Sequence, residues 1–233
     1  FYRLDGGDLE ELVFDDARYG TLTKAEDTDV AIFTRQDFET FPDLWLSDLD
    51  HESRVQITNA NPQQAEYNWG RRILFDYYTY DGIRKQGTLA IPNDYQEGER
   101  RPMLINYYEQ NSQNLHSYPT PRFQGSPNFA GYVSDGYLVM QPDIHFRIGP
   151  SHQHMLESIE LAIDAVIEMG YVDPDRIALH GHSYSGQGST YIATHSDRFA
   201  AIVAGAAATN LVSDFNALWG GRNNAHNYSI YGQ

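Results

Sequence analysis

The stretch RIALHGHSYSGQGSTYIATH, residues 176 to 195, constrains this chain more than any other. A short apolar run from Ile177 to Leu179 meets a turn and then a helix-like segment, with Ser183 at the turn. Small residues gather around it. A strand and a helix joined this tightly cross closely, so bulky side chains at Gly181, Ser185 or Gly186 would collide with the backbone opposite. The pattern predicts a buried parallel strand ending near His180, a helix beginning near Ser185, and a serine hydroxyl held at the turn between them.

A length of 233 residues can bury a sizeable core and allows one large α/β domain or a medium domain plus a fragment. The change of pattern along the chain favours the second. A formal net charge of -16 makes nucleic acid and anionic membrane surfaces poor partners. Cysteine is absent, which excludes disulfides, thiolate metal sites and cysteine nucleophiles. No apolar run approaches the roughly 20 residues that span a bilayer. The opening FYRLDGGDLEEL is not a signal peptide and does not read as a natural start.

Residues 1 to about 70 read as short strands separated by turns: Leu9 to Phe14, Gly20 to Thr23, Val30 to Thr34, Asp43 to Ser47 and Arg54 to Thr58. Their spacing suggests antiparallel β structure. Two β-rich runs then meet at Asp81-Gly82, a hairpin turn signal because glycine tolerates positive φ. Met103 to Tyr108 begins with the near-continuous apolar character of a central strand, followed by a long stretch without periodicity. Tyr137 to Gln141 is another central strand. Residues 152 to 169 form the clearest helix, with Met155, Ile159, Ala162, Ile163 and Val166 on one face and Gly170 ending it. This order of elements predicts an α/β domain with a mainly parallel sheet.

The segment Gly181-His182-Ser183-Tyr184-Ser185 resembles the nucleophile elbow of an α/β-hydrolase, with serine where the usual pattern has its second glycine. With its flanks, "GYVDPDRIALHGHSYSG" and "THSDRFAAIVAGA", it resembles the prolyl oligopeptidase family of serine peptidases. The stretch "DVAIFTRQDFETFPDLWLSDLDHESRVQITNANP" resembles a terminal blade of the β-propeller that precedes the hydrolase domain in that family. The resemblance implies the end of a propeller over residues 1–70, with other blades upstream because one blade cannot bury both its faces. It also implies the amino-terminal part of an α/β-hydrolase peptidase domain over residues 71–233. The alternative for the amino end is a small independent β module.

A serine hydroxyl is a poor nucleophile at neutral pH, so acyl transfer needs a histidine to take its proton and a carboxylate to orient that histidine. The chain order in α/β-hydrolases is serine, acid, histidine. Only 50 residues follow Ser183, and in the resembled family the acid and histidine lie farther on, which implies that both are missing from this chain. Asp214 and His226 are the substitutes in the required order, but the family segment resembling "AAATNLVSDFN" carries no triad acid. Stabilising the tetrahedral intermediate requires donors aimed at the developing oxyanion. The resemblance assigns one to the backbone N–H of Tyr184 and the other to the hydroxyl of Tyr108, with Tyr107 as the one-residue alternative. Glu109-Gln110-Asn111 replaces a Gly-rich turn of many family members.

The pairs His152/His154 and His180/His182 do not complete a metal site, since no acidic partner pattern accompanies them. No lysine follows Gly186 or Gly188 as a phosphate-binding loop requires. No metal or cofactor is therefore expected, and the expected partner is a peptide substrate. Three readings follow: a partial serine peptidase acting through an acyl-enzyme on Ser183, an α/β-hydrolase acting on esters, and a non-catalytic binding fragment.

Overall fold

The structure is a computed structural model that describes residues 1–121, 125–147, 149–210, 212, 218–219 and 222–223. Its amino-terminal end is a hairpin of β1 (Tyr2–Asp5) and β2 (Asp8–Glu11). Asp5 pairs with Asp8, leaving Gly6 and Gly7 as a two-residue loop, and both have the positive φ such loops require. An antiparallel sheet follows, made of β3 (Arg18–Tyr19), β4 (Thr23–Lys24), β5 (Val30–Gln36), β6 (Asp43–Asp48) and β7 (Val55–Gln56).

Of the expected strand from Gly20 to Thr23, residues 20–22 are instead an interruption between β3 and β4, which both pair with β5. The register slips by one residue between Tyr19↔Arg35 and Thr23↔Ile32. Such an extra residue is a bulge, and it turns the chain where Gly20 lies against the Thr34 side chain with no room for a Cβ.

The second sheet holds β8 (Gly70–Tyr78), β9 (Arg84–Pro92), β10 (Arg101–Asn106), β11 (Leu138–Pro142), β12 (Val172–His182) and β13 (Ala201–Gly205). Interleaved with these strands are α1 (Phe129–Ser134), α2 (Ser151–Glu168) and α3 (Tyr184–Ile192). The spatial order is β13-β12-β10-β11-β9-β8. The four strands from β13 to β11 run parallel, whereas β9 is antiparallel to both β11 and β8. The sheet is therefore mixed, because the short Asp81-Gly82 connection can join β8 and β9 only as an antiparallel hairpin. Gly82 adopts the positive φ expected of it.

Alternation along the strands assigns the faces of this sheet. Leu89 and Ile91 of β9, with Leu138 and Met140 of β11, join the main core under α2, whereas Ala90 and Val139 face the other way onto Phe38 and Val133. The predicted apolar face of α2 is the observed one: Met155, Ile159, Ala162, Ile163 and Val166 are all fully enclosed. Gly170 follows the helix with φ +85°, the left-handed conformation that ends helices without a Cβ clash. Among the described residues, no helix is long and apolar enough to cross a membrane.

Phe38 links the two sheets. It stands on the turn between β5 and β6, where the Asp37 carboxylate accepts the N–H groups of Glu39 at 2.8 Å and Thr40 at 2.7 Å. Its ring packs into the smaller core, its carbonyl accepts the Trp69 indole N–H at 2.8 Å, and the Arg72 guanidinium lies 4.4 Å from its ring centre.

Ile159→Ala should lower unfolding free energy by about 2–5 kcal/mol, the usual cost of an unfilled core site. Glu168→Ala on the exposed face of the same helix should stay within about 0.5 kcal/mol. Urea titration of the two variants beside the parent checks the assignment of faces.

Candidate active site

Ser183 occupies the one position between β12 and α3, exposed and with φ 60°, ψ -120°. A non-glycine residue there carries roughly 1–3 kcal/mol of backbone strain, which persists only where the surroundings enforce it. The enforcement can be traced to named contacts. The Ser183 N–H donates to the Gly205 carbonyl at 2.9 Å, anchoring the turn to the end of β13. A Cβ on Gly186 would come within 2.5 Å of that same carbonyl. A Cβ on Gly181 would strike the Ser185 carbonyl, so strand and helix meet at contact distance only because both positions are bare.

The serine in place of the usual second glycine has a structural role. Ser185 is buried, and its hydroxyl accepts the His182 N–H at 2.9 Å and donates to the His182 carbonyl at 2.9 Å. Both backbone groups flanking the sharp turn are thereby satisfied. The strand ends at His182 and the helix starts at Tyr184, within two residues of the positions expected from sequence.

The neighbouring parallel strand brings the tyrosines to this edge. Asn106 is the register partner of His180, so Tyr107 and Tyr108 leave β10 beside the residues leading into Ser183. Their side chains have opposite fates. Tyr107 is 1% exposed, and its hydroxyl donates to the Ser185 carbonyl at 2.6 Å and meets Ser189 Oγ at 3.1 Å. Burial raises its pKa well above the usual phenol value, so it stays a neutral donor. Tyr108 is 43% exposed and lines the cavity beside the turn. Tyr184, which would offer its backbone N–H, buries its ring against Phe146 and His152.

The histidine pairs named from sequence are divided among different tasks. His180 Nδ1 lies 3.0 Å from Asn106 Nδ2, and burial followed by the neighbouring His182 holds its imidazole below the ordinary value. His152 packs near Tyr184 and Tyr191, whereas His154 Nδ1 accepts the Arg147 N–H at 3.2 Å. Asp214 and His226 lie outside the described residues. Among the described residues, no hydrogen bond to Ser183 Oγ is found.

Sequence reading missed the residue that shapes the loop after Tyr108. Asp143, buried just past β11, accepts the N–H groups of Asn111 at 2.6 Å and Ser112 at 2.8 Å, together with the Ser112 hydroxyl at 2.6 Å. Its own carbonyl accepts the Tyr77 hydroxyl, and the next residue, Ile144, donates its N–H to the Glu109 carbonyl at 2.8 Å. A carboxylate thus braces the turn at Glu109-Gln110-Asn111 that glycine does not form. The only sequence signal was an acidic residue directly after a buried strand.

Residues 151–228, a third of the chain, match the model of the prolyl oligopeptidase family. Dipeptidyl-peptidase 5 of Porphyromonas gingivalis is 27% identical over 205 residues, covering 78% of this chain and 28% of that protein. Among solved structures, an AtxE2 isopeptidase variant with an Astexin3 form bound shares the fold at a TM-score of 0.71 and 17% identity, over 97% of this chain and 36% of that one. A post-proline cleaving enzyme from Rickettsia typhi gives 0.66 and 14%, over 91% of this chain and 32% of that one. The chain therefore resembles peptidases of the prolyl oligopeptidase family while spanning 28% of its curated relative's length.

Two substitutions test the packing at the turn. Ser185→Ala should cost about 1–3 kcal/mol, because it strands the part-buried His182 backbone groups. Gly181→Ala should cost more, since its methyl meets a backbone carbonyl with nowhere to move. Thermal unfolding of both variants, with wild-type stability for Gly181→Ala as the contrary outcome, decides the point.

Proposed function

We propose that this chain is the nucleophile-bearing part of a serine peptidase, in which Ser183 attacks the carbonyl carbon of a peptide bond. The single observation that carries the reading is the exposed Ser183, held at φ 60° between a parallel strand and a helix. The similarity to prolyl oligopeptidase family peptidases supports the choice of a peptide over another acyl substrate.

In this reading the Ser183 hydroxyl oxygen bonds to the carbonyl carbon as a histidine takes its proton. The resulting oxyanion accepts hydrogen bonds from the Tyr184 N–H and the Tyr108 hydroxyl. Collapse expels the amine, which receives the proton from the histidine, and leaves an acyl-enzyme on Ser183. Water then attacks the ester by the same sequence, releasing the acid and restoring the serine. The buried Tyr107 hydroxyl is committed to the helix, so the exposed Tyr108 is the tyrosine with a hydroxyl to offer. The histidine and its orienting acid are assigned to residues outside those described. The same proposal takes residues 1–70 as the end of a β-propeller and residues 71–233 as part of the peptidase domain.

Ser183→Ala in the full-length protein should abolish both peptide hydrolysis and labelling by a fluorophosphonate; unchanged labelling would reject Ser183 as nucleophile. Tyr108→Phe should lower kcat by about 10²- to 10³-fold with little change in KM, the signature of a donor that acts on the transition state. Residues 1–233 alone should label negligibly. Robust labelling would place a base within this chain, with His226 the first to substitute.

A further inference from the structure

The cavity beside Ser183 carries a charge opposite to that of the molecule. Its volume is about 460 Å³, and it runs from Tyr108, His182 and Ser185 on one wall to Arg18 and Arg72 on another. Neither aspartate nor glutamate is among the described residues that line it. The chain as a whole has 32 acidic residues against 16 basic ones, so the cavity departs from its surroundings in sign.

The two arginines differ from others in the molecule. Arg35, Arg84, Arg101, Arg147 and Arg198 each lie within salt-bridge distance of a carboxylate. Among the described residues Arg18 and Arg72 have no such partner, and neither do Arg54, Arg71, Arg100 and Arg176, but of these only Arg18 and Arg72 line the cavity. Arg72 donates through a single terminal nitrogen, at 2.7 Å to the Asn114 carbonyl and 3.2 Å to the Ser117 carbonyl. Arg18 also uses one nitrogen, at 2.7 Å to Ser117 Oγ and 3.4 Å to Asn114 Oδ1. Both grip the same turn, so their guanidinium groups converge on one wall. A guanidinium has five donors, and most of this pair's donors remain for a ligand.

Burial lowers the Arg72 guanidinium to about 10, with no neighbouring carboxylate to offset the desolvation, and it remains cationic at neutral pH. Holding a charge in this way, with two carbonyls and the Phe38 ring but no carboxylate as partners, is costly. A carboxylate is the ligand that matches: its two oxygens accept from a guanidinium fork side by side.

We propose that Arg18 and Arg72 form a subsite for a carboxylate of the peptide substrate, in the cavity that His182 and Ser185 of the serine turn also line. This inference rests on the peptidase reading above. The carboxylate has two possible sources, the carboxyl terminus of the peptide or the side chain of an aspartate or glutamate within it, and both would present the same group to the pocket.

Calorimetric binding to full-length protein carrying Ser183→Ala separates the sources without turnover. The probes are N-acetylated trialanine with a free carboxyl terminus, its amide, and amidated peptides with a central aspartate or asparagine. At least one carboxylate peptide should bind tenfold or more tightly than its neutral counterpart: the first pair identifies a terminal carboxylate, the second a side chain. Arg18→Gln should erase the preference, read as the ratio of carboxylate to neutral affinity within each variant, and Arg72→Lys should retain part of it because the charge remains. Equal binding within both pairs, or a preference that survives Arg18→Gln and Arg72→Gln together, overturns the subsite. Fluorophosphonate labelling of the parent protein is a separate readout. Its absence beside an intact carboxylate preference would reject the peptidase reading and leave the subsite standing.

Discussion

The close approach of β12 and α3 is the constraint from which the site is built. Two backbones in contact at Gly181 and Gly186 leave Ser183 no conformation but a strained one, and the strain is sustained by bonds to elements distant in sequence. Gly205 on β13 receives its N–H, and Tyr107, just past the end of β10, ties down the Ser185 carbonyl. The acceptor lies at the end of β13 and the donor follows the buried strand β10, so the turn is held by two neighbours of the same sheet. Gly188 extends the same economy along α3, where a Cβ would come within 2.8 Å of the Tyr107 hydroxyl and collide with Met155 of α2.

A second layer of buried polar groups governs the loop that carries Tyr108. Loops of this length are uncommon in compact domains, and here Asp143 satisfies two N–H groups and a hydroxyl at once. Farther along, Tyr118 accepts from Asn61 at 2.9 Å and donates to Gln64 at 2.8 Å, while its N–H reaches the Gln36 side chain at 3.0 Å. The loop is consequently held from both sides, by the mixed sheet through Asp143 and by the amino-terminal segment through Tyr118. The position of the cavity wall depends on both halves of the chain.

Features set by local periodicity were legible in the sequence. The apolar face of α2, the glycine that ends it, the Asp81-Gly82 hairpin and the small residues around Ser183 each follow from a short-range rule that the tertiary structure does not override. The Gly6-Gly7 turn obeys a rule of the same kind, but its strands β1 and β2 are too short and exposed to carry an apolar alternation that marks them. What resisted reading were long-range polar pairings. Asp143 lies 32 residues from Asn111, and Arg72 lies 42 residues from Asn114, so no spacing pattern announces either pair. The bulge at Gly20 was hidden for a related reason: it is defined by a slip against β5, which only the pairing reveals.

The electrostatics of the cavity follow from the same long-range assembly. A net charge of -16 describes the molecule as seen from a distance, but at physiological salt fields decay over about 8 Å. Within the cavity the nearest charges decide, and the fold places two guanidinium groups there by using each to hold the turn from Asn114 to Ser117. Lysine could not do both jobs as well, since a point charge that grips a carbonyl has no second edge to present. Arginine can bind the loop with one nitrogen and turn the remainder of its fork toward the cavity. The residues that shape this wall are thus the same ones that give it its charge, which couples recognition of an anion to the order of the loop that carries Tyr108.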